Sequence, residues 1–94
     1  MYAVSRRYRF NHDDAEKINR EIMESFVPLL KKAPGFVAYY WLDNGSGVGE
    51  SISVFQSKSG AEGSVAVAKF WVSKHLAGLL GTPEVIQGEV KANA

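Results

Sequence analysis

The sequence has no cysteine among its 94 residues. Disulfide bonds, thiolate metal sites and cysteine nucleophiles are therefore excluded. It also lacks the run of about 20 apolar residues that a membrane-spanning helix requires. Its first ten residues, MYAVSRRYRF, carry charge too early for a signal peptide. We therefore expect a soluble, cytoplasmic protein with no membrane segment.

The sequence also has little net charge of either sign. Its 11 Lys and Arg residues against 10 Asp and Glu residues give a net charge of +1. Such a balance creates no strong field for nucleic acid or an anionic membrane. The third predicted strand, GVGESISVF, lacks the basic residue and the spaced aromatic residues with which RNA-binding sheets stack bases. We expect no nucleic-acid partner.

What the sequence does contain is two blocks, each with a strand, a capped amphipathic helix and another strand. Strands are predicted at residues 2–10, 36–43, 47–56 and 85–91, and helices at residues 14–32 and 59–80. This order predicts a single α+β domain over residues 1–94, a ferredoxin-like βαββαβ sandwich. Its antiparallel sheet would carry both helices on one face.

Each predicted helix has one apolar stripe and a recognisable start. The stripes are predicted to be Ala15, Ile18, Ile22, Phe26 and Leu29 in the first helix, and Val65, Ala68, Val72, Leu76 and Leu79 in the second. Ser59 and Glu62 have the spacing of a capping box at the start of the second helix. Pro28 cannot donate a hydrogen bond to the Glu24 carbonyl, so we expect a kink or a short break in the first helix.

Both faces of the predicted sheet are apolar. In the second strand, one side is predicted to carry Phe36, Ala38, Tyr40 and Leu42, and the other Val37, Tyr39 and Trp41. The helices can cover only one face, and soluble monomers rarely expose a large apolar patch. Two copies that pack sheet against sheet would remove this exposure. The sequence therefore predicts a two-fold homodimer with a barrel-like core between the subunits.

Three segments of the sequence resemble a known family. YAVSRRYRF from Tyr2, APGFVAYY from Ala33 and SISVF from Ser51 are similar to the antibiotic biosynthesis monooxygenase-like proteins of the dimeric α/β-barrel superfamily. The resemblance covers nearly the whole chain and implies the same fold, a homodimer, and a ligand cavity between the helices and the sheet of each subunit. It limits function less, since the superfamily includes cofactor-independent quinone-forming monooxygenases, haem-degrading enzymes, isomerases and dehydratases.

The sequence departs from the catalytic patterns of that family. Monooxygenase-type members often have Glu-x-Trp at the end of the third strand, where this chain has Val54-Phe55-Gln56. They often have His-Phe in the second helix, where this chain has Lys69-Phe70. Haem-degrading members use an Asn on the first strand, which this strand lacks. No known catalytic set transfers residue by residue.

One helix edge remains as a candidate catalytic site. Trp71 and His75 follow Ser64 and Ala68 at three- and four-residue steps, beside the apolar stripe of the second helix. A His beside a Trp can act as a general base or contact a ligand, so His75 and Trp71 are the catalytic candidates. The alternative is a half-buried His beside a Trp that fills the core edge. No carboxylate lies at ligand spacing from His75, so no metal and no cofactor are expected.

The candidate ligand-binding residues are Arg7, Tyr40, Phe26 and Ser64. Either Arg6 or Arg7 must point to the helix side of the sheet or into the barrel of the dimer. There it would hold an anionic or phenolate ligand, or form an inter-strand ion pair with a strand glutamate, Glu50 or Glu89. The tyrosines of the strands either stack on a planar ligand or belong to the core and the interface.

Two functions remain open from the sequence. The first is a cofactor-independent monooxygenase that acts on a small planar aromatic or polyketide-like substrate. The alternative is a non-catalytic dimeric ligand-binding or auxiliary protein. A pocket of a few hundred Å³ that holds His75 together with an Arg or a Tyr hydroxyl would favour the enzyme. An interior filled by Trp71 and Phe26 would remove its site.

Overall fold

The computed structural model describes all 94 residues. Its four strands form one antiparallel sheet in the order β2–β3–β1–β4. The strands are β1 (Tyr2–Arg9), β2 (Phe36–Asp43), β3 (Val48–Phe55) and β4 (Glu84–Glu89). Two helical segments cover one face, α1 over residues 12–31 and α2 over Lys58–His75. The predicted α+β ferredoxin-like sandwich is thus confirmed. Neither helix combines the length and the apolar character that crossing a membrane would require.

Helix α1 changes its geometry along its length. It begins as a 3-10 turn at His12–Asp14 and continues as α-helix over Ala15–Glu21. A π-helical segment follows over Ile22–Phe26, and α-helix resumes over Val27–Lys31. The Val27 amide donates to the Ile22 carbonyl, five residues back. The irregularity expected near Pro28 is therefore present as a wider turn directly before the proline.

The π-helical segment changes which leucine of α1 is buried. The buried residues Ile18, Ile22, Phe26 and Leu30 recur at every fourth position. An α-helix has 3.6 residues per turn, so a stripe with this spacing would drift around an ordinary helix. The wider turn keeps it facing the sheet. The prediction that Leu29 completes the stripe is wrong, because Leu29 is 44% exposed.

Helix α2 is shorter than predicted at its C-terminal end. The Ser57 hydroxyl caps its start and accepts a hydrogen bond from the Gly60 amide at 3.2 Å, so the capping box predicted at Ser59 is wrong. The helix ends at His75 instead of near Leu80. In the turn that follows, the Leu79 amide donates to the Leu76 carbonyl, and Gly78 adopts a φ of 77°, a left-handed conformation that favours glycine.

The face of α2 that packs on the sheet also differs from the prediction. The residues buried within it are Ala61, Ser64, Ala68 and Trp71. Ser64, Ala68 and Trp71, which were predicted to lie at the edge of the apolar stripe, are therefore at the centre of the buried face. Val65 and Val72 are only half-buried, and they flank this centre.

The two faces of the sheet follow the alternation of each strand, with one exception. A register shift between Phe36 and Ala38 interrupts the alternation of β2. It turns Phe36 to the helix side, where the ring packs on Phe55 at 6.1 Å. The prediction that Phe36 shares a side with Tyr40 is therefore wrong. Tyr40 and Leu42 lie exposed on the open face.

Candidate functional site

A buried arginine lies under the helices. Alternation along β1 turns Arg6 to the same side as Val4 and Tyr8, and Arg6 is only 3% exposed. Burial lowers the pKa of Arg6, although a guanidinium stays charged in proteins. Its Nη2 atom has no hydrogen-bond partner. The charged side chains that meet do so elsewhere: Arg7–Glu50, Lys58–Glu62 and Lys91–Glu89 form ion pairs, and His75 lies 3.9 Å from Glu21. Arg6 is thus a buried cation without a carboxylate.

Two tyrosines surround this cation. Burial raises the pKa of Tyr39 to about 12 and also raises the pKa of Tyr8. The Ser51 hydroxyl lies close enough to oppose part of the rise at Tyr39, but it falls short of hydrogen-bond geometry. At neutral pH both phenols are therefore neutral hydroxyl groups that can donate hydrogen bonds to an anion.

The space between α1, α2 and the sheet is almost filled. The closed cavity beside Arg6 has a volume of about 20 Å³, which is enough for roughly one water molecule. Phe26 packs on Trp71 at 5.1 Å and on Tyr39 at 5.4 Å between ring centres. The Trp71 indole donates to the Ser25 hydroxyl at 2.9 Å, which ties α2 to the π-helical segment of α1. No aromatic ligand fits between the helices and the sheet, so the ligand cavity that the resemblance implied there is filled by Phe26 and Trp71, and an enzyme would need another site.

A larger open cleft adjoins the closed cavity. It has a volume of about 580 Å³ and shares Arg6 and Tyr8 with the cavity. One wall is the side of α2 that carries Val65, Lys69, Val72 and Ser73, and the other is the segment after α2, which begins with Leu76, together with Val85. Arg6 and Lys69 are the charged residues that line it, and both are cations. The cleft therefore combines an apolar wall with positive charge.

A hydrogen-bonded chain closes the other end of the interior. The Trp41 indole donates to the Asn19 side chain at 2.7 Å, and Asn19 donates to Asp43 at 3.1 Å. The Gly45 amide and the Asn19 amide lower the pKa of the Asp43 carboxyl group. The Trp41 ring occupies the space that a Cβ atom at position 49 would need, so Gly49 makes room for it. These contacts join edge strand β2 to α1.

Of the two catalytic candidates, the structure buries Trp71 in the interior and leaves His75 at the surface. Trp71 is buried, whereas His75 is exposed and lines neither the cavity nor the cleft. The His75 ring stacks on Trp71 at 4.9 Å, and its Nδ1 atom lies 3.9 Å from a Glu21 carboxylate oxygen. No group of three or more His, Cys, Asp or Glu side chains is placed to hold a metal ion.

The four candidate ligand-binding residues are divided between the two faces of the sheet. Phe26 lines the closed cavity, and the buried Ser64 hydroxyl donates to the Ala61 carbonyl within α2 at 2.6 Å. Arg7 and Tyr40 lie on the open face, where the Arg7 Nε atom donates to Glu50 at 3.0 Å. The sheet thus separates these two residues from the others, and the roles given to all six candidates remain predictions.

Sequence reasoning missed one residue of the cleft that a pattern could have revealed. Lys69 lies four residues after Val65 and three before Val72, so it belongs to the same side of α2. From the sequence, Lys69 was identified only as the residue that replaces the His of the family's His-Phe pair. Arg6 was signalled more clearly, because it alternates with Val4 and Tyr8 along β1.

Comparisons with known proteins address the fold. No family model matches the sequence, and no curated protein matches it either. Solved structures do match. One is a protein of unknown function from Nitrosomonas europaea, with 20% sequence identity, a TM-score of 0.79, and coverage of 99% of this chain and 91% of that chain.

Two further matches have names that state an activity. The first is the monooxygenase ActVA-Orf6 of Streptomyces coelicolor, solved with the ligand nanaomycin D. It has 13% identity and a TM-score of 0.72, over 99% of this chain and 89% of that chain. The second is SnoaB of Streptomyces nogalater, a cofactor-independent oxygenase. It has 14% identity and a TM-score of 0.69, over 98% of this chain and 94% of that chain.

These matches place the chain in a structural class. It is a small ferredoxin-like α+β protein with the fold of the antibiotic biosynthesis monooxygenase-type proteins. The fold implied by the sequence resemblance is thereby confirmed. Sequence identities of 20% or less establish the fold and leave the activity to be argued from the site.

Proposed function

We propose that this protein binds a planar aromatic anion in the cleft beside α2 and oxygenates it without metal or flavin. The observation that carries the proposal is Arg6, a cation that is 3% exposed and has no carboxylate partner. Burying a charge without a partner costs several kcal/mol, so its retention indicates a function. A phenolate or enolate bound beside the Arg6 guanidinium would supply the missing counter-charge.

The dimensions of the cleft suit such a ligand. Its volume of about 580 Å³ falls within the range of small-molecule sites. The flat body of the ligand would lie along Val65 and Val72 of α2, with its anionic oxygen towards Arg6 and Tyr8 at the inner end. The interior behind Arg6 is too full to admit the ring system.

The groups in the cleft define which steps the protein can assist. The bound anion reacts with O2: a ring methylene becomes a carbonyl, one oxygen atom enters the product and the other leaves as water. Arg6 stabilises the substrate anion, which lowers the pKa of its phenol or enol. The neutral hydroxyl of Tyr8 donates a hydrogen bond to a developing oxyanion. Neither the cavity nor the cleft contains a His or a carboxylate, so the substrate itself supplies the reactive anion.

An oxygen-uptake assay with an anthrone as the probe tests this function. We expect one O2 consumed for each anthraquinone formed, with a rate above that of the buffer. Arg6→Met should abolish the enhancement, and the exposed Arg20→Gln should retain it. Unfolding curves establish that both variants fold. No enhancement with the unmodified protein, or full enhancement with Arg6→Met, would refute the proposal.

The second candidate is a non-catalytic ligand-binding protein. It is favoured by the position of His75, which stacks outside the cavity and faces neither it nor the cleft. In this case planar anions quench the fluorescence of Trp71 and raise the melting temperature, but oxygen uptake stays at the buffer rate. The same two assays therefore separate the two functions.

We also propose that the open face of the sheet is the interface of a homodimer. It presents apolar side chains to solvent, including Tyr40, Leu42 and Ile86, the last of which is 76% exposed. Monomers rarely leave such a patch uncovered. Its charged residues are two arginines and two glutamates, Arg7, Arg9, Glu50 and Glu84. An equal number of each sign allows the face to meet a copy of itself, as a two-fold interface requires.

Light scattering at micromolar concentration tests the dimer. We expect twice the chain mass of 10.3 kDa. Leu42→Glu places a charge in the patch and should yield monomers, whereas Met23→Glu on the outer side of α1 should remain dimeric. A monomeric unmodified protein, or a dimeric Leu42→Glu variant, would contradict this interface.

A further inference from the structure

Lys69 differs from the other lysines of α2 in having no partner within the protein. Lys58 pairs with Glu62, and the Lys74 ammonium lies 5.4 Å from the centre of the Phe70 ring. Lys69 takes part in none of the ion pairs, and its helical neighbours at three and four residues are all uncharged. Nothing along the helix compensates its charge.

Lys69 and Arg6 lie at different depths of the same cleft. Arg6 is buried at the inner end, whereas Lys69 is exposed on the wall formed by α2. Val65 and Val72, half-buried on the same side of α2, supply apolar surface to that wall. The arrangement consists of a buried cation, an apolar strip and an exposed cation. A ligand complementary to it has a planar body with an acidic group at each end.

We propose that Lys69 is a specificity residue that makes the cleft select planar ligands with two acidic groups. One acidic group, a phenolate or carboxylate, binds Arg6, and the second, a carboxylate, binds the Lys69 ammonium near the solvent. This inference rests on the proposed function, since it assigns a substrate class to the same cleft. An ammonium on a flexible stem suits the outer position, because it can follow ligands of different length.

The size of the expected preference follows from the solvent exposure of Lys69. An exposed ion pair contributes at most about 1 kcal/mol, which corresponds to a preference of about two- to fivefold for the doubly charged ligand. Since the pair is exposed, the preference should decrease with added salt. The contact with the buried Arg6 should contribute more. Loss of Arg6 should therefore lower the affinity for both monoacids and diacids about tenfold or more.

Matched probes test the role of Lys69. Terephthalate and a naphthalene dicarboxylate with its carboxylates at opposite ends are compared with benzoate and naphthoate, by calorimetry at low salt. The unmodified protein should prefer at least one dicarboxylate over its monoacid. Lys69→Gln should lose most of this preference, because its affinity for the diacid falls towards that for the monoacid. Lys74→Gln, which removes the same charge outside the cleft, should retain the preference.

The outcomes separate this inference from the proposed function. If the monoacids bind but no dicarboxylate is preferred, or if Lys69→Gln keeps the preference, Lys69 has no role in specificity and the aromatic-anion site stands. If none of the four acids binds to the unmodified protein, the anion site is refuted and the role of Lys69 with it. Unfolding curves for the variants exclude loss of structure as a cause.

Discussion

The two faces of the sheet place the same residue types in opposite environments. Arg6 and Arg7 are neighbours in β1, yet Arg6 is buried without a carboxylate and Arg7 pairs with Glu50 at 3.0 Å on the open face. Tyr39 and Tyr40 are neighbours in β2, yet Tyr39 packs on Phe26 while Tyr40 is 58% exposed. The covered face thus leaves a charge uncompensated, whereas the open face balances its charges and exposes its apolar groups.

This difference indicates that the two faces serve different purposes. A face that evolved only for stability would not keep a buried, unpaired guanidinium. A face that evolved to remain in solvent would not keep Tyr40 and Leu42 beside an ion pair. We propose the covered face as the binding site and the open face as the interface between two copies. Because the neighbours are matched in type, substitutions can test this comparison directly.

The largest effect is expected at the centre of the covered face. Trp71→Ala removes a buried ring that contacts Phe26 and ends the hydrogen bond to Ser25. The free energy of unfolding should fall by about 3 to 5 kcal/mol, measured by urea unfolding. Phe70→Ala, at a neighbouring position that is 66% exposed, should change it by less than about 0.5 kcal/mol. Similar effects at both positions would show that the interior is not tightly packed.

The next effect is a loss of stability at alkaline pH. An unfolded Tyr ionises near pH 10, and burial raises the pKa of Tyr39 to about 12. Between these values the unfolded chain releases the proton first, so stability decreases as pH rises, by about 2 to 3 kcal/mol. Urea unfolding across this pH range should show a smaller decrease in the free energy of unfolding for Tyr39→Phe than for the unmodified protein. Tyr40→Phe, on the open face, should keep the full decrease, and equal curves for both variants would contradict the assignment.

A gain of stability is expected at the buried arginine. Arg6→Met replaces an unpaired buried cation by an apolar side chain and should stabilise the protein by about 1 to 2 kcal/mol. The same substitution should weaken ligand binding about tenfold or more, so stability and function change in opposite directions. Urea unfolding at neutral pH and fixed protein concentration measures the first effect. A clear destabilisation would show that Arg6 has a structural role.

The smallest effect is expected at the arginine of the open face. The side chains of Arg7 and Glu50 are 55% and 26% exposed, so their ion pair is partly screened by solvent. A double-mutant cycle with Arg7→Met and Glu50→Gln should give a coupling of about 0.2 to 1 kcal/mol, decreasing with salt. A coupling above about 2 kcal/mol would show that the pair is more buried in solution, as deep enclosure in an interface would make it.

Most of the fold could be predicted because its signals are local. Alternation along β1 and β3 and the amphipathic patterns of the helices depend on residues close in sequence. The register shift in β2 has no such signal, since neither Val37 nor Ala38 is a residue typical of a bulge. The early end of α2 had one: Gly78, which is the residue type that adopts a positive φ after a helix.

The candidate site was harder to predict because it depends on strand register. Arg7 lies opposite Glu50 in the β1–β3 pair, so Glu50 and Arg6 are on different faces. Glu89 pairs with Tyr2, at the other end of β1 from the cleft. Neither fact can be derived from spacing within a single strand. The lack of a carboxylate near Arg6 therefore emerges only once the strands are aligned.

The π-helical segment of α1 has a consequence for how this helix tolerates change in length. A chain shorter by one residue within Ile22–Phe26 would have its buried positions spaced four, three and four apart, which an uninterrupted α-helix accommodates. Both ends of the helix would keep their inward orientation. Single-residue deletions in natural variants should therefore concentrate in this one turn, where the helix already carries the surplus residue.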